Sequence, residues 1–186
     1  MLNDAAEARR GELLRLQGVE RLADGEQEVE VAGAKLNMTD VAARIGLGQL
    51  PRLDEFNARR AVLARHYFER FDANLGCDLP PADDAHTNWH MFQPVLPLDR
   101  MTGTRGDFLR GMQAIGIGTG VHYPALHLFK LYRGMGYGPG DFPHAERIGA
   151  GIVTLPLFPS MTEADVDRVC DGVRDILRPL LRPVHR

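Results

Sequence analysis

After residue 50, helical and extended sequence patterns alternate along this chain, and this order limits the folds that it can adopt. The helical patterns cover 51–74, 104–115, 145–150 and 162–177, and the extended patterns cover 89–98, 117–123 and 152–155. The last helix is the clearest, because Thr162 can cap it and Val166 and Val169 begin an apolar stripe at helical spacing. We therefore predict an α+β fold in which about three strands are covered by helices.

The first 50 residues predict a smaller set of elements. Residues 4–16 have a helical composition. Asp24 and Gly25 form a hairpin signal, and valines alternate with glutamates on the returning arm. A second helix begins near Asn37 or Thr39, either of which can cap it. This part of the chain is therefore predicted to form a helix, a small β-ribbon and another helix.

Composition limits the classes of partner. The net charge is −3 and the arginines are scattered among carboxylates, so the sequence lacks the basic patch of a nucleic-acid-binding protein. No run of about 18 apolar residues is present, and the acidic start of the chain lacks the features of a signal peptide. Cys77 and Cys170 lie far apart without a pairing pattern, which favours buried thiols in a reducing compartment. We expect a cytoplasmic protein that binds neither nucleic acid nor membranes.

The histidines suggest a metal site, but their spacing argues against one. His86 and His90 are four residues apart, and His122 and His127 are five apart. A zinc site needs three or four convergent ligands, and no cysteine or carboxylate stands at a ligand spacing from these pairs. We predict no metal site and interpret His90 as a residue that hydrogen-bonds the backbone at a strand start.

Two other kinds of site also lack their sequence context. Gly116, Gly118 and Gly120 resemble part of a dinucleotide-binding loop, but that motif follows a strand and opens a helix, whereas these glycines follow a helix and open a strand. No serine or cysteine stands in a nucleophile elbow, so hydrolase chemistry lacks its nucleophile. Neither a dinucleotide enzyme nor a hydrolase is predicted.

A segment too irregular to be core is dense in polar and aromatic side chains. Its members are His122, Tyr123, His127, Lys130, Tyr132, Arg133 and Tyr137. Loops of this kind commonly build binding pockets, which is the functional interpretation. The alternative is that these rings simply cover the sheet.

Five motifs, in one order along nearly the whole chain, are similar to those of a known family. They occupy 33–40, 89–92, 116–123, 142–147 and 155–162. In sequence and spacing they resemble the carboxy-terminal part of the DegT/StrS sugar aminotransferases. The resemblance implies a fold-type-I homodimer that uses pyridoxal phosphate to move an amino group from glutamate to a keto sugar on a nucleotide. It also implies that 37–186 form the C-terminal small domain and that 1–36 are the end of the large domain.

The resemblance assigns roles to four residues. Asn37 matches the family's asparagine that holds the cofactor phosphate of the neighbouring subunit, a role that suits an amide near a helix N-terminus. His122 and Tyr123 match residues of the substrate pocket, as does His127. Ordinary packing is the alternative role for His127.

Only two lysines occur in the chain, Lys35 and Lys130, and neither matches the lysine that binds the cofactor covalently in this family. Lys35 matches the neighbour of the phosphate-binding asparagine, and Lys130 matches a pocket loop. Because that covalent chemistry needs an amine that can be deprotonated, the chain is predicted to be inactive alone, as a truncated product or one piece of a split enzyme. The alternative is a non-catalytic module that pairs with a separate large domain or with a paralogous aminotransferase.

Overall fold

The structure is a computed structural model, and it describes residues 4–23, 25–82 and 87–182. The chain divides into two compact units, Met1–Leu53 and Asp54–Arg186. The sequence-based boundary between residues 36 and 37 refers to the domains of a complete family member, and it stays a prediction.

The first unit contains two helices and a two-stranded ribbon. Its elements are α1 (Ala5–Arg15), β1 (Val19–Arg21), β2 (Gln27–Val29) and α2 (Asp40–Gln49). The two strands pair antiparallel, and Gly25 in their turn adopts a φ of +90°, which glycine tolerates best; Asp24 lies outside the described residues. The hydroxyl of Thr39 accepts a hydrogen bond from the Ala42 amide at 3.2 Å, so Thr39 caps α2.

The second unit is mostly helical. Its helices are α3 (Leu53–Arg70), α4 (Arg105–Ala114), α5 (Lys130–Arg133), α6 (Pro143–Gly151) and α7 (Glu163–Leu177). Thr104 and Thr162 each form a capping box with the aspartate three residues later, which fixes where α4 and α7 begin. The predicted helix over 51–74 is too long, since α3 ends at Arg70 and a separate short turn covers Ala73–Leu75. Within the described ranges, no helix combines the length and apolarity that a bilayer span requires.

The three predicted strands of this unit are extended segments that touch through isolated bridges. The bridges are Asp78–Val95, Val95–Ile152, Phe92–Leu155 and Gly120–Thr154, all antiparallel. The prediction of three continuous strands was therefore wrong. The physical reason is that Pro94, Pro97 and Pro156 supply no N–H groups to a continuous ladder. The α+β class is confirmed, but the only strands in the described residues are the two of the ribbon in the first unit.

The core of the second unit lies between these extended segments and the long helices. Tyr67 of α3 is fully buried, stacks on Phe92 with ring centroids 4.6 Å apart, and donates a hydrogen bond to the Pro156 carbonyl at 2.7 Å. Burial raises the pKa of Tyr67, which keeps its hydroxyl protonated as a donor. A Cβ on Gly111 of α4 would lie 2.5 Å from Ile176 of α7, so this glycine allows the two helices to pack closely.

Ion pairs on the surface connect helix α3 to helix α7. Arg59 donates to the Glu163 carboxylate at 2.8 Å and to the Met161 carbonyl at 2.7 Å. Asp167 accepts from Arg70 at 2.6 Å and lies 3.0 Å from His66. Because these side chains are partly exposed, each pair adds little stability alone, but together they align α3 with α7.

The Arg59–Glu163 pair predicts a pH dependence of stability. The hydrogen bond from Arg59 lowers the pKa of Glu163 from 4.5 to about 2. Since the folded-state pKa is depressed, this stabilisation is fully present above the unfolded-state pKa and is lost as the pH falls through the folded-state pKa. We expect Glu163→Gln to reduce the loss of unfolding free energy between pH 4.5 and 2, measured by urea denaturation at several pH values.

A double-mutant cycle assigns that effect to the pair. Arg59→Gln is expected to reduce the same pH dependence, and the double variant is expected to match either single variant. A wild-type pH dependence in Glu163→Gln would contradict the prediction.

Candidate functional site

The segment that carries the predicted pocket residues begins where α4 ends. Gly116 adopts a φ of +73°, and the Ile117 amide donates to the Met112 carbonyl, which closes the helix. Ile117 is buried, and Gly120 then exchanges both backbone hydrogen bonds with Thr154. This pairing sets the position of the residues that follow.

His122 lies in a hydrogen-bonded cluster with Gln93 and Thr154. Its Nδ1 is 2.9 Å from the Thr154 hydroxyl, and its backbone carbonyl accepts from the Gln93 amide at 2.6 Å. The same Gln93 Nε2 lies 3.3 Å from the Thr154 hydroxyl. Three chain segments therefore hold one imidazole ring in place. Sequence reasoning missed Thr154 entirely.

Tyr123 is the exposed neighbour of this cluster. Its ring meets the His122 ring edge to face, with centroids 5.2 Å apart, and 62% of the residue is accessible to solvent. An exposed tyrosine can stack on a polar ligand with its ring and hydrogen-bond the ligand with its hydroxyl. The structure thus brings His122 and Tyr123 together at the surface.

His127 belongs to a different cluster. It is 9% exposed, its Nε2 lies 3.0 Å from the Glu146 carboxylate, and its ring contacts Phe142 edge to face at 5.0 Å. Glu146 also accepts from the Gly140 amide at 2.7 Å, and this bond is the main reason that the pKa of Glu146 lies below its ordinary value. These contacts connect the turn at Leu126–Leu128 to α6. The substrate role of His127 stays a prediction.

A glycine of α6 allows the helix backbone to contact the start of this loop. A Cβ on Gly149 would lie 2.4 Å from the Ala125 amide nitrogen, so only glycine allows the helix backbone to approach the loop this closely. The Gly149 carbonyl also accepts from the Arg105 guanidinium at 2.6 Å. The loop therefore rests on a fixed support, although most of its residues between 129 and 142 are exposed.

Asn37 lies in the first unit, exposed, two residues before the Thr39 cap of α2. The backbone next to it is held by a bridge between Lys35 and Leu16. Thr39 rather than Asn37 therefore caps the helix, which leaves the Asn37 amide available for a ligand. Its role toward a cofactor phosphate stays a prediction.

The positions of the two lysines bear on covalent binding of a cofactor. Lys35 and Lys130 are both exposed, and neither lines the three clefts around Arg100, Phe158 and Gln17. The cleft of about 490 Å³ is lined by residues of 76–78, 95–100 and 147–150, away from the predicted pocket residues. That the covalent lysine lies outside this sequence stays a prediction.

The cysteines and the possible metal ligands are further candidate reactive groups. Burial raises the pKa values of Cys77 and Cys170 to about 12, so neither is a nucleophilic thiolate near neutral pH. Among the described residues, no group of three or more His, Cys, Asp or Glu side chains could hold a metal ion. His86, one member of the histidine pairs considered above, lies outside those residues.

Comparison with known proteins identifies the family. Residues 1–174 match the model of the DegT/DnrJ/EryC1/StrS aminotransferase family. The uncharacterized protein MJ1066 of Methanocaldococcus jannaschii is 36% identical over 176 residues, which cover 89% of this chain and 45% of that protein. The spore coat polysaccharide biosynthesis protein SpsC of Bacillus subtilis is 38% identical over 156 residues, 81% of this chain and 40% of SpsC. The chain belongs to the DegT/DnrJ/EryC1/StrS aminotransferase family.

Solved structures show the same fold. Spr1654 of Streptococcus pneumoniae, described as a sugar aminotransferase and solved in its PLP form, superposes with a TM-score of 0.83 at 22% identity. The match covers 97% of this chain and 46% of Spr1654. The chain therefore spans about half the length of the relatives that it matches.

Proposed function

We propose that this chain is the carboxy-terminal part of a pyridoxal-phosphate-dependent sugar aminotransferase. The complete enzyme would act in the cytoplasm and move an amino group from glutamate to a keto sugar carried on a nucleotide. The observation that carries this proposal is the family match over 1–174, together with the sugar aminotransferase fold of Spr1654 in its PLP form. The biosynthetic role in the name of SpsC supports a product used in a cell-surface polysaccharide. Among the activities known in the family, we propose that of UDP-4-amino-4-deoxy-L-arabinose synthase.

Within that enzyme, we assign the chain the binding of ligands. Asn37 would donate its exposed amide to the cofactor phosphate of the neighbouring subunit. His122 and Tyr123, which form one surface feature, would contact the nucleotide sugar. His127 would shape the same pocket through the loop that it ties to Glu146. The lysine that binds the cofactor covalently would come from a segment other than these 186 residues.

We also propose that the first unit contacts a partner, either a second copy in a homodimer or a separate large domain. Helix α2 has ten residues and none of them is buried. Helices of this length depend on packing for most of their stability, so α2 is expected to be covered in the complete assembly.

The lysine assignment predicts the result of a cofactor titration. When the purified chain is mixed with pyridoxal phosphate, we expect no stoichiometric visible band from a covalent lysine adduct and no amino transfer from glutamate to a keto sugar. The physical reason is that both lysines are exposed, so neither is held against a cofactor by surrounding side chains. Absorption spectroscopy with an amino-transfer assay measures both, and Spr1654, which was solved in its PLP form, serves as the positive control for cofactor binding.

Two variants make this test specific. If a stoichiometric band forms and disappears in Lys35→Ala or in Lys130→Ala, the chain has its own covalent lysine and the proposal is wrong in that respect. The second candidate is a non-catalytic module that pairs with a separate large domain or with a paralogous aminotransferase, and the exposure of both lysines supports it. Amino transfer that appears only when a lysine-bearing large domain is co-expressed supports the enzyme, and pairing without any activity supports the module.

A further inference from the structure

The orientation of the Gln93 amide follows from its partner. The His122 backbone carbonyl, 2.6 Å away, can only accept a hydrogen bond, so the Gln93 atom that faces it must be the NH₂ group. The second proton of the same nitrogen is then directed to the Thr154 hydroxyl oxygen at 3.3 Å. Gln93 thus acts as a donor to both neighbouring residues.

The direction of the next hydrogen bond is set in turn. The Gln93 nitrogen cannot accept the Thr154 proton, and the other side chain that contacts this hydroxyl is His122, whose Nδ1 lies 2.9 Å away and can accept it. The backbone N–H and C=O of Thr154 are both paired with Gly120. A hydroxyl that donates to Nδ1 requires that nitrogen to be unprotonated. In the neutral ring, the proton is then on Nε2.

The surroundings of the ring keep it in this orientation. A Cβ on Gly120 would lie 2.7 Å from His122 Cε1 and 3.3 Å from Nδ1, so the ring lies directly over a glycine. On another side, the Tyr123 ring meets it edge to face. The ring therefore packs between Gly120 and Tyr123, with Nδ1 fixed by Thr154.

We propose that Gln93 and Thr154 are positioning residues that hold His122 as its Nε2–H tautomer, so that His122 offers a hydrogen-bond donor to the substrate. This inference rests on the proposed role of His122 in binding the nucleotide sugar. The ligand group that it selects is an acceptor oxygen, such as a diphosphate oxygen or the carbonyl of a keto sugar. A histidine of the opposite tautomer would present a bare nitrogen to that oxygen and repel it.

Nitrogen NMR of the ring tests the inference directly. In the chain labelled with ¹⁵N-histidine, at a pH where the ring is neutral, we expect a protonated Nε2 and an unprotonated Nδ1 for His122. Gln93→Glu replaces the donor by a carboxylate that accepts the Thr154 proton, so the hydroxyl must then accept from the ring. We expect this variant to move the proton to Nδ1, and Thr154→Val to give a mixture of both tautomers.

A conservative substitution separates positioning from general damage. Thr154→Ser keeps the hydroxyl and is expected to keep the wild-type tautomer, while backbone amide spectra show whether each variant stays folded. An Nδ1–H ring in the wild type would overturn the inference, as would a wild-type tautomer in folded Gln93→Glu and Thr154→Val.

A titration with UDP-glucose tests the underlying function separately. If the His122 Nε2 resonance does not move, the substrate role is contradicted while the tautomer assignment stands.

Discussion

Replacement of Phe92 by alanine is expected to lower the free energy of unfolding of the second unit by about 3–5 kcal/mol. Phe92 is fully buried. Its ring stacks on Tyr67 at 4.6 Å and meets Phe68 edge to face at 5.1 Å. Removal of the ring loses its burial energy and leaves a cavity between aromatic rings that cannot collapse easily. The loss also reaches the candidate site, because Gln93 follows Phe92 directly in the chain.

The single tryptophan makes this measurement specific. Trp89 lies 6.3 Å from Phe92 between ring centroids, so its fluorescence during urea denaturation reports on this part of the core. Phe158→Ala is the matched control, because Phe158 is 52% exposed and its loss is expected to cost less than about 1 kcal/mol. Equal losses in the two variants would show that Phe92 is not a central core residue.

Helix ends were predictable from the sequence because their signals are local. A threonine followed three residues later by an aspartate gives the start of α4 and of α7, and the glycine at 116 gives the end of α4. The strands were not predictable in this way, because strand pairing depends on which distant segments meet. Proline at 94 interrupts the ladder that the apolar pattern predicts, and only isolated bridges form.

The candidate site shows the same limit. The family resemblance selected His122 and Tyr123, and the structure places their rings in contact. Thr154 is 32 residues from His122 and 61 from Gln93, so no sequence spacing could indicate the hydrogen bonds that join them. Gln93 lies within the extended pattern over 89–98, and that pattern gives no indication of its contacts. Glu146 lies within the motif over 142–147. Its contact with His127 joins residues 19 apart, so the motif could not indicate it.

The chain is expected to self-associate, and a double substitution in α2 is expected to make it monomeric. Val41 and Ile45 lie one turn apart on this helix, and they are 73% and 63% exposed. Leu36 and Met38, just before the helix, are each 71% exposed. Folded monomers rarely leave so much contiguous apolar surface in water, because burying it against a second copy is favourable.

Lysine at Val41 and Ile45 should prevent that burial, because a charged side chain in an apolar contact loses its hydration without gaining a partner. Sedimentation velocity over a concentration series is expected to show at least a dimer for the wild type and a 20.7 kDa monomer for Val41→Lys/Ile45→Lys. Leu131→Lys/Met135→Lys is the matched control, because these residues are 65% and 64% exposed in the other unit. If only the control becomes monomeric, the self-association contact lies on the loop over 129–142 and not on α2. A monomeric wild type at every concentration would contradict the prediction of self-association.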